Sequence, residues 1–71
     1  MNSKLRYQEV KSSVADAIQE MGQGLALLEE RMTGQGPSED VWKAARERFL
    51  RADEECKKAA FACSHLIDSF E

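Results

Sequence analysis

A heptad repeat of apolar residues runs through the second half of the chain, and it limits the possible folds more than any other sequence feature. Its members follow one another at alternating steps of three and four residues. This spacing keeps one face of an α-helix against a partner helix. Three members of one set are alanines spaced by seven, which would allow a partner backbone to approach closely. The repeat comprises Trp42, Ala45, Phe49, Ala52, Cys56, Ala59, Cys63, Leu66 and Phe70.

The first half of the chain contains a second heptad repeat, which is regular only from Val14 onward. Lys11 occupies a position at which the repeat requires an apolar residue. Gly22 and Gly24 lie inside this predicted helix, where each glycine costs about 1 kcal/mol relative to alanine. Close approach of another backbone, a local bend, or sequence drift tolerated by the packing would each account for them. The repeat consists of Tyr7, Val14, Met21 and Leu28 in one set and Ile18, Leu25 and Met32 in the other.

The clearest break between the two repeats is the stretch from residue 33 to residue 38, which contains two glycines and the chain's one proline. Gly34 suits the left-handed residue that ends a helix, and Pro37 suits the first turn of the next. A connection this short folds the helices back on each other. We therefore predict an all-α fold, an antiparallel two-helix hairpin resembling a coiled coil. It forms a single domain over residues 1–71, with a helix at about 5–33, a turn at 34–37 and a helix at about 38–69.

Folding the chain at this turn brings the two repeats into register, with Leu25 opposite Phe49 and Met21 opposite Ala52. Several layers then pair a large residue with a small one, which fills space without overpacking. Trp42 would cap this core beside the turn, although an exposed tryptophan could instead anchor a partner. The predicted hairpin core is Val14, Ile18, Met21, Leu25, Leu28, Met32, Trp42, Ala45, Phe49, Ala52, Cys56 and Ala59.

The last turns of the second helix are apolar around much of their circumference, which a single hairpin contact cannot cover. In the predicted register they oppose the charged, poorly patterned start of the chain. We therefore expect the hairpin to be completed by dimerisation or by a partner protein. The predicted partner-binding residues are Phe61, Cys63, Leu66, Ile67 and Phe70.

Composition restricts the class of partner. Ten basic and thirteen acidic residues are interspersed and give a net charge of −3. A nucleic-acid-binding protein would usually carry a basic stripe, and none is present, so we expect no nucleic-acid partner. No apolar run approaches the roughly 18 residues that span a bilayer, and the polar N-terminus does not resemble a signal peptide. We expect a cytoplasmic protein that makes no membrane contact.

No set of residues predicts catalysis, metal binding or a cofactor. Cys56 and Cys63 would lie about 10 Å apart on one helix, too far for a disulfide, so we expect small reduced core residues. A disulfide between two copies of the chain is the alternative. His65, the one histidine, lies on a different helix face from Cys63, and zinc requires about four ligands. A hairpin of this size has no walled pocket, and we expect that the chain is not an enzyme.

The sequence resembles the small helical-hairpin co-chaperones of type III secretion systems, the YscE/PscE-like family. The resemblance is carried by the run Leu25-x-x-Leu28-x-x-x-Met32, the glycine-rich turn, Trp42 after it, and the apolar final helix near Ile67 and Asp68. It spans most of the chain. It implies a protein that joins a tetratricopeptide-repeat chaperone and helps to keep the secretion needle subunit soluble before export.

Two other helical hairpins of similar size match less well. The needle subunits carry a Pro-x-x-Pro-like turn, whereas this chain has only Pro37. The small subunit of exonuclease VII carries a phenylalanine–glutamate–x–glycine pattern that the second helix lacks. Three classes of function therefore stay open: a co-chaperone or adaptor, a self-assembling module such as a four-helix dimer or needle-type subunit, and a non-catalytic small subunit of an enzyme.

Overall fold

The computed structural model describes residues 3–70, which form two long α-helices and no strand. α1 spans Ser3–Glu30 and α2 spans Glu39–Phe70, with 28 and 32 residues. The helices run antiparallel and pack against each other along the hairpin. The predicted all-α two-helix hairpin is therefore confirmed. Residues 1, 2 and 71, at the ends of the predicted single domain, lie outside the described residues.

The turn between the helices is closed by Thr33 and Gly36. The amide of Gly36 donates to the carbonyl oxygen of Thr33 at 3.0 Å, and the Thr33 hydroxyl donates to the carbonyl oxygen of Gly36 at 2.6 Å. Gly36 has φ +89°, a left-handed conformation that glycine adopts without strain. The prediction that Gly34 would be the left-handed residue is therefore wrong, because the chain reverses two residues later.

Both helix ends near the turn differ slightly from the predicted bounds. α1 ends at Glu30, before the predicted residue 33, and the amide of Met32 bonds to the carbonyl oxygen of Glu29 at 3.4 Å. α2 begins at Glu39, and the carbonyl oxygen of Ser38 accepts its first helical bond, from the amide of Trp42 at 3.0 Å. Glu39 and Asp40 lie in the first turn, where acidic side chains interact favourably with the helix dipole.

The two helices meet through their smallest residues. The buried residues are Ala17 and Gly24 in α1 and Ala45 and Ala52 in α2. In each helix the two are seven residues apart, so they recur on one face after two turns. We call the line formed by these four residues the contact line. Because none of the four has a large side chain, the helix backbones can approach closely along it.

The observed packing rotates α1 relative to the prediction. Most buried and half-buried residues of α1 precede a position of the predicted repeat by one, as Ala17 precedes Ile18 and Gly24 precedes Leu25. One residue corresponds to a rotation of about 100° around the helix axis. In α2 the predicted alanine set does lie at the contact. The predicted set of larger residues does not, because the residue before most of them is half-buried instead, as Arg48 is before Phe49. The residues of α1 that precede the repeat in this way are Arg6, Val10, Ser13, Ala17, Glu20, Gly24 and Leu27, and Gln23, Ala26 and Leu28 are half-buried beside them.

Most of the predicted hairpin core is therefore exposed in the single chain. Ala45 and Ala52 are buried, and Leu28 and Ala59 are half-buried. The remaining eight residues are exposed, not buried in a hairpin core as predicted, because the close alanine and glycine contact leaves no room for large side chains between the axes. Among them the ring of Phe49, 39% exposed, rests against the other helix at Gly24. These exposed residues are Val14, Ile18, Met21, Leu25, Met32, Trp42, Phe49 and Cys56.

The hairpin is a thin rod with little interior. It measures 55 × 15 × 13 Å, and its radius of gyration is 16.3 Å, against about 11 Å expected for a compact domain of this length. Ala17, Ala45 and Ala52 are the buried hydrophobic residues among positions 3–70, and no large side chain in that range is fully buried. Two helices alone therefore leave most of the large apolar side chains in contact with solvent.

Candidate interaction surface

Most of the large exposed apolar residues of both helices lie on one side of the hairpin; the exceptions include Leu5, Leu50 and Phe61. In α1 each residue on this side comes one position after a residue that is buried or half-buried against α2, as Ile18 follows Ala17. In α2 most of them come four positions after a residue of the alanine set, as Phe49 follows Ala45. Because the helices run in opposite directions, these forward rotations turn both sets toward the same side. We call this side the apolar face. It consists of Tyr7, Val14, Ile18, Met21, Leu25 and Leu28 from α1 and Trp42, Phe49, Cys56, Cys63 and Phe70 from α2.

Phe49 and Gly24 join the two helices in the turn-proximal half of the apolar face. A Cβ atom added to Gly24 would lie 2.7 Å from Cε1 and 2.9 Å from Cζ of the Phe49 ring. The ring therefore occupies the space that a side chain at position 24 would need. Close approach thus explains Gly24, whereas Gly22 has no neighbour within 4 Å and nothing in the structure explains it.

Tyr7 and Cys63 join the two helices at the open end of the same face. They line a shallow groove of about 200 Å³ together with residues on the neighbouring turns of both helices. Of the residues that line the groove, Tyr7 and Cys63 belong to the apolar face, which therefore borders the groove at the open end of the hairpin. The lining residues are Ser3, Arg6, Tyr7, Val10, Ala62, Cys63 and Leu66.

The five predicted partner-binding residues do not form one patch. Cys63 and Phe70 belong to the apolar face, and Ile67 lies at its edge, one position after a contact residue of α2. Leu66 is half-buried between the helices. Phe61 projects from the other side of α2, where its ring meets His65 edge-on with centroids 4.4 Å apart. Their role in binding a partner remains a prediction, and the structure groups only some of them.

The side opposite the apolar face is charged. Nη1 of Arg48 in α2 lies 3.2 Å from Oε2 of Glu20 in α1, so this ion pair bridges the helices. Beside it, a shallow depression is lined by Asp16 of α1 and by Arg51 and Glu54 of α2, among other polar side chains. We call this side the charged face. The hairpin is therefore amphipathic as a whole, because each helix contributes to an apolar side and to a charged side.

Two lysines of α2 have pKa values above the ordinary lysine value of 10.5. The Lys57 ammonium group donates a hydrogen bond to Asp53, with Nζ 2.9 Å from the carboxylate, and this raises its pKa. The hydrogen bond from Lys58 to Glu55, at 3.1 Å, raises the pKa of Lys58. Both lysines are fully exposed, so these contacts are ordinary surface ion pairs, which contribute little to stability.

Sequence reasoning missed the residues through which the hairpin closes in α1. Ala17 and Gly24 are spaced by seven, as are Ala45 and Ala52, and this matching pair of small-residue repeats was present in the sequence. The larger residues beside them formed a stronger hydrophobic repeat and obscured it. The charge pair between Glu20 and Arg48 has no comparable sequence signal, because their positions are 28 apart.

The described residues contain neither a cluster of metal-ligating side chains nor a helix that could span a membrane. Within residues 3–70, no three His, Cys, Asp or Glu side chains come together in a way that could hold a metal ion. Over the same range, neither helix is both long enough and apolar enough to cross a membrane.

Comparison with known proteins does not place the chain in a family. No protein-family model, curated protein or solved structure matches it significantly. The geometry of the apolar face therefore carries the functional argument.

Proposed function

We propose that this chain is a small cytoplasmic interaction protein whose apolar face binds helices of a larger protein. The observation that carries the proposal is the combination of an alanine-only buried core with one continuous face of large exposed apolar residues. Ile18 and Trp42 on that face are 59% and 54% exposed, whereas the buried hydrophobic residues are all alanines. Contiguous exposed apolar patches of this kind mark protein interaction sites.

The shape of the apolar face favours a helical partner. Val14, Ile18, Met21, Leu25 and Leu28 follow one another at steps of four and three on α1. Such a row is the pattern that a second helix covers in a coiled coil, with side chains of one helix fitting between those of the other. The row from α2 runs beside it and widens the surface to two helices. A partner that presents a pair of helices would fit such a surface.

The specific role that we propose is that of a type III secretion co-chaperone. Its partner would be a tetratricopeptide-repeat chaperone, whose repeats are pairs of helices, and the complex would keep the needle subunit soluble. The resemblance of the Leu25–Met32 run and Trp42 to that family supports this role, and so does the two-helix apolar face. No role in catalysis is proposed, because the chain would contribute only surface.

Co-expression tests this proposal directly. The chain would be co-expressed with a tetratricopeptide-repeat chaperone of a type III secretion system, and the mass of the purified complex measured by light scattering. Trp42 is the one tryptophan in the chain and lies on the apolar face, so its fluorescence should lie at shorter wavelength in the complex than in the single chain at high dilution. Loss of co-purification with Ile18→Asp, but not with Leu50→Asp on the outer side of α2, is the expected result. Separate elution of the two wild-type proteins would refute the co-chaperone role.

A further inference from the structure

We propose that, in the absence of a larger partner, a second copy of this chain covers the apolar face. The two hairpins would stack face to face as a symmetric four-helix bundle. The inference rests on the apolar face used in the proposed function, and it names that face's first occupant. Binding of the larger partner would then exchange one pair of helices for another, so that the dimer is the resting form of the protein.

The exposed area of the single hairpin agrees with a missing second copy. Its accessible surface is 5524 Å², whereas a folded monomer of 8.0 kDa exposes about 4,450 Å². The excess of roughly 1,100 Å² arises because a two-helix rod covers neither of its flanks. One flank of a 55 × 15 Å rod amounts to roughly 800 Å², which is the area that each partner buries in a standard stable interface.

The charge distribution allows two copies to meet at this face. The bridging ion pair of Glu20 and Arg48 and the depression around Arg51 lie on the opposite side, which stays in water when the apolar faces are joined. The net charge of −3 per chain is small, so repulsion between copies is weak. Four helices around one apolar interior form a common stable bundle, whereas two helices have almost no interior.

The order of residues along α2 selects one arrangement of the two copies. The face residues of α2 recur every seven positions, with two large aromatic residues near the turn, then two cysteines, and Phe70 at the end of the helix. A twofold axis perpendicular to the helices, near the level of Ala52, places Phe49 of one copy opposite Cys56 of the other. The same axis places Trp42 opposite Cys63. The rings of Phe49 and Trp42 then each meet a small thiol, which fills the interface without overpacking, while Phe70 lies at the level of the other copy's turn.

Solution mass and one matched pair of variants test the dimer. We expect the wild-type chain to have twice the 8.0 kDa chain mass at micromolar concentration and a Tm that rises with protein concentration. Leu25→Asp places a charge in the dimer interface and should weaken self-association at least tenfold. Leu50→Asp is the control, because the two leucines are 53% and 52% exposed in the single chain but Leu50 lies outside the apolar face.

The native cysteines test the arrangement. Along α2, the two copies of Cys56 would be separated by about 10 Å and the two copies of Cys63 by about 30 Å, given a rise of 1.5 Å per residue. A short bismaleimide should therefore cross-link the Cys63→Ser variant through Cys56 and leave the Cys56→Ser variant uncross-linked. Equal cross-linking of both variants would overturn this arrangement.

Failure of the dimer and failure of the proposed function can be told apart. A wild-type mass of 8.0 kDa at all concentrations, with a constant Tm, would overturn the dimer even if the chain still co-purified with the repeat protein. Equal loss of self-association in Leu25→Asp and Leu50→Asp would also overturn it. If Leu25→Asp unfolds, recovery of helical circular dichroism at high protein concentration supports the dimer, and unfolding that is independent of concentration counts against it.

Discussion

The contact line and the apolar face differ in the size of their side chains, and the difference is the reverse of that in an ordinary domain. Between the helices lie alanines and a glycine, such as Ala45 and Gly24, whereas Leu25 and Trp42 face outward. A domain usually buries its largest apolar residues, because burying one leucine contributes about 1.5–3 kcal/mol. The contact line therefore sets the geometry of the hairpin, and the apolar face holds most of the hydrophobic stabilisation that the chain can gain by association.

The largest effect is expected from placing a large side chain in the contact line. Ala45 is 0% exposed, and Ala45→Leu adds three carbon atoms where the helices touch. Overpacking of this kind costs about 1–3 kcal/mol, a large share of the stability of so small a fold. Urea unfolding, followed by circular dichroism at fixed protein concentration, would measure the loss.

Ala44→Leu is the control for this substitution, since Ala44 is the preceding residue and is exposed. It should change the free energy of unfolding by less than about 0.5 kcal/mol. If the two substitutions have equal effects, the contact line does not determine how the helices approach, and the comparison with the apolar face fails.

A smaller effect separates the two glycines of α1, which lie two residues apart. Gly22→Ala should stabilise the hairpin by about 1 kcal/mol, because alanine is the better helix former and the position is open. Gly24→Ala should show no such gain, because its Cβ would lie 2.7 Å from the Phe49 ring. Thermal unfolding of both variants would measure the difference.

Removing the ring provides the control for the glycine pair. In a Phe49→Ala background the space beside Gly24 is free, so Gly24→Ala should then stabilise as much as Gly22→Ala does. A double-mutant cycle isolates this coupling. If Gly24→Ala already stabilises the wild-type chain fully, the ring moves aside easily and close approach does not explain Gly24.

The sequence was sufficient to predict the hairpin but not the rotation of its helices. Two repeats separated by glycine and proline specified two helices and a turn, and the alanines at 45 and 52 were correctly placed between them. A heptad repeat shows that a helix face is covered, but it does not show by which neighbour. Val14, Ile18 and Leu25 follow such a repeat, and in the single chain the other helix does not cover them.

The candidate site was only partly predictable for the same reason. Cys63 and Phe70 were expected to meet a partner, and they belong to the apolar face, but the expectation included Phe61 on the other side of α2. The final turns of α2 are apolar around most of their circumference, so composition could not select a direction there. The direction follows only from the small-residue contact of Ala17 with α2, which sequence reasoning did not identify.

The smallest effect is expected at the charged edge of the contact line. Glu20→Gln removes the carboxylate that lies 3.2 Å from Arg48, and the two side chains are only 24% and 37% exposed. We expect a loss of about 0.5–1 kcal/mol, near the upper end for exposed pairs because this pair is partly shielded from water.

Lys43→Gln is the control, because it removes the more exposed pair with Glu39 and should cost about 0.3 kcal/mol. Urea unfolding at low and at high salt would measure both losses, and the Glu20→Gln loss should shrink less with salt. Equal losses that both vanish in salt would show that the helices are not held in register by this ion pair, leaving the contact line alone to fix their level.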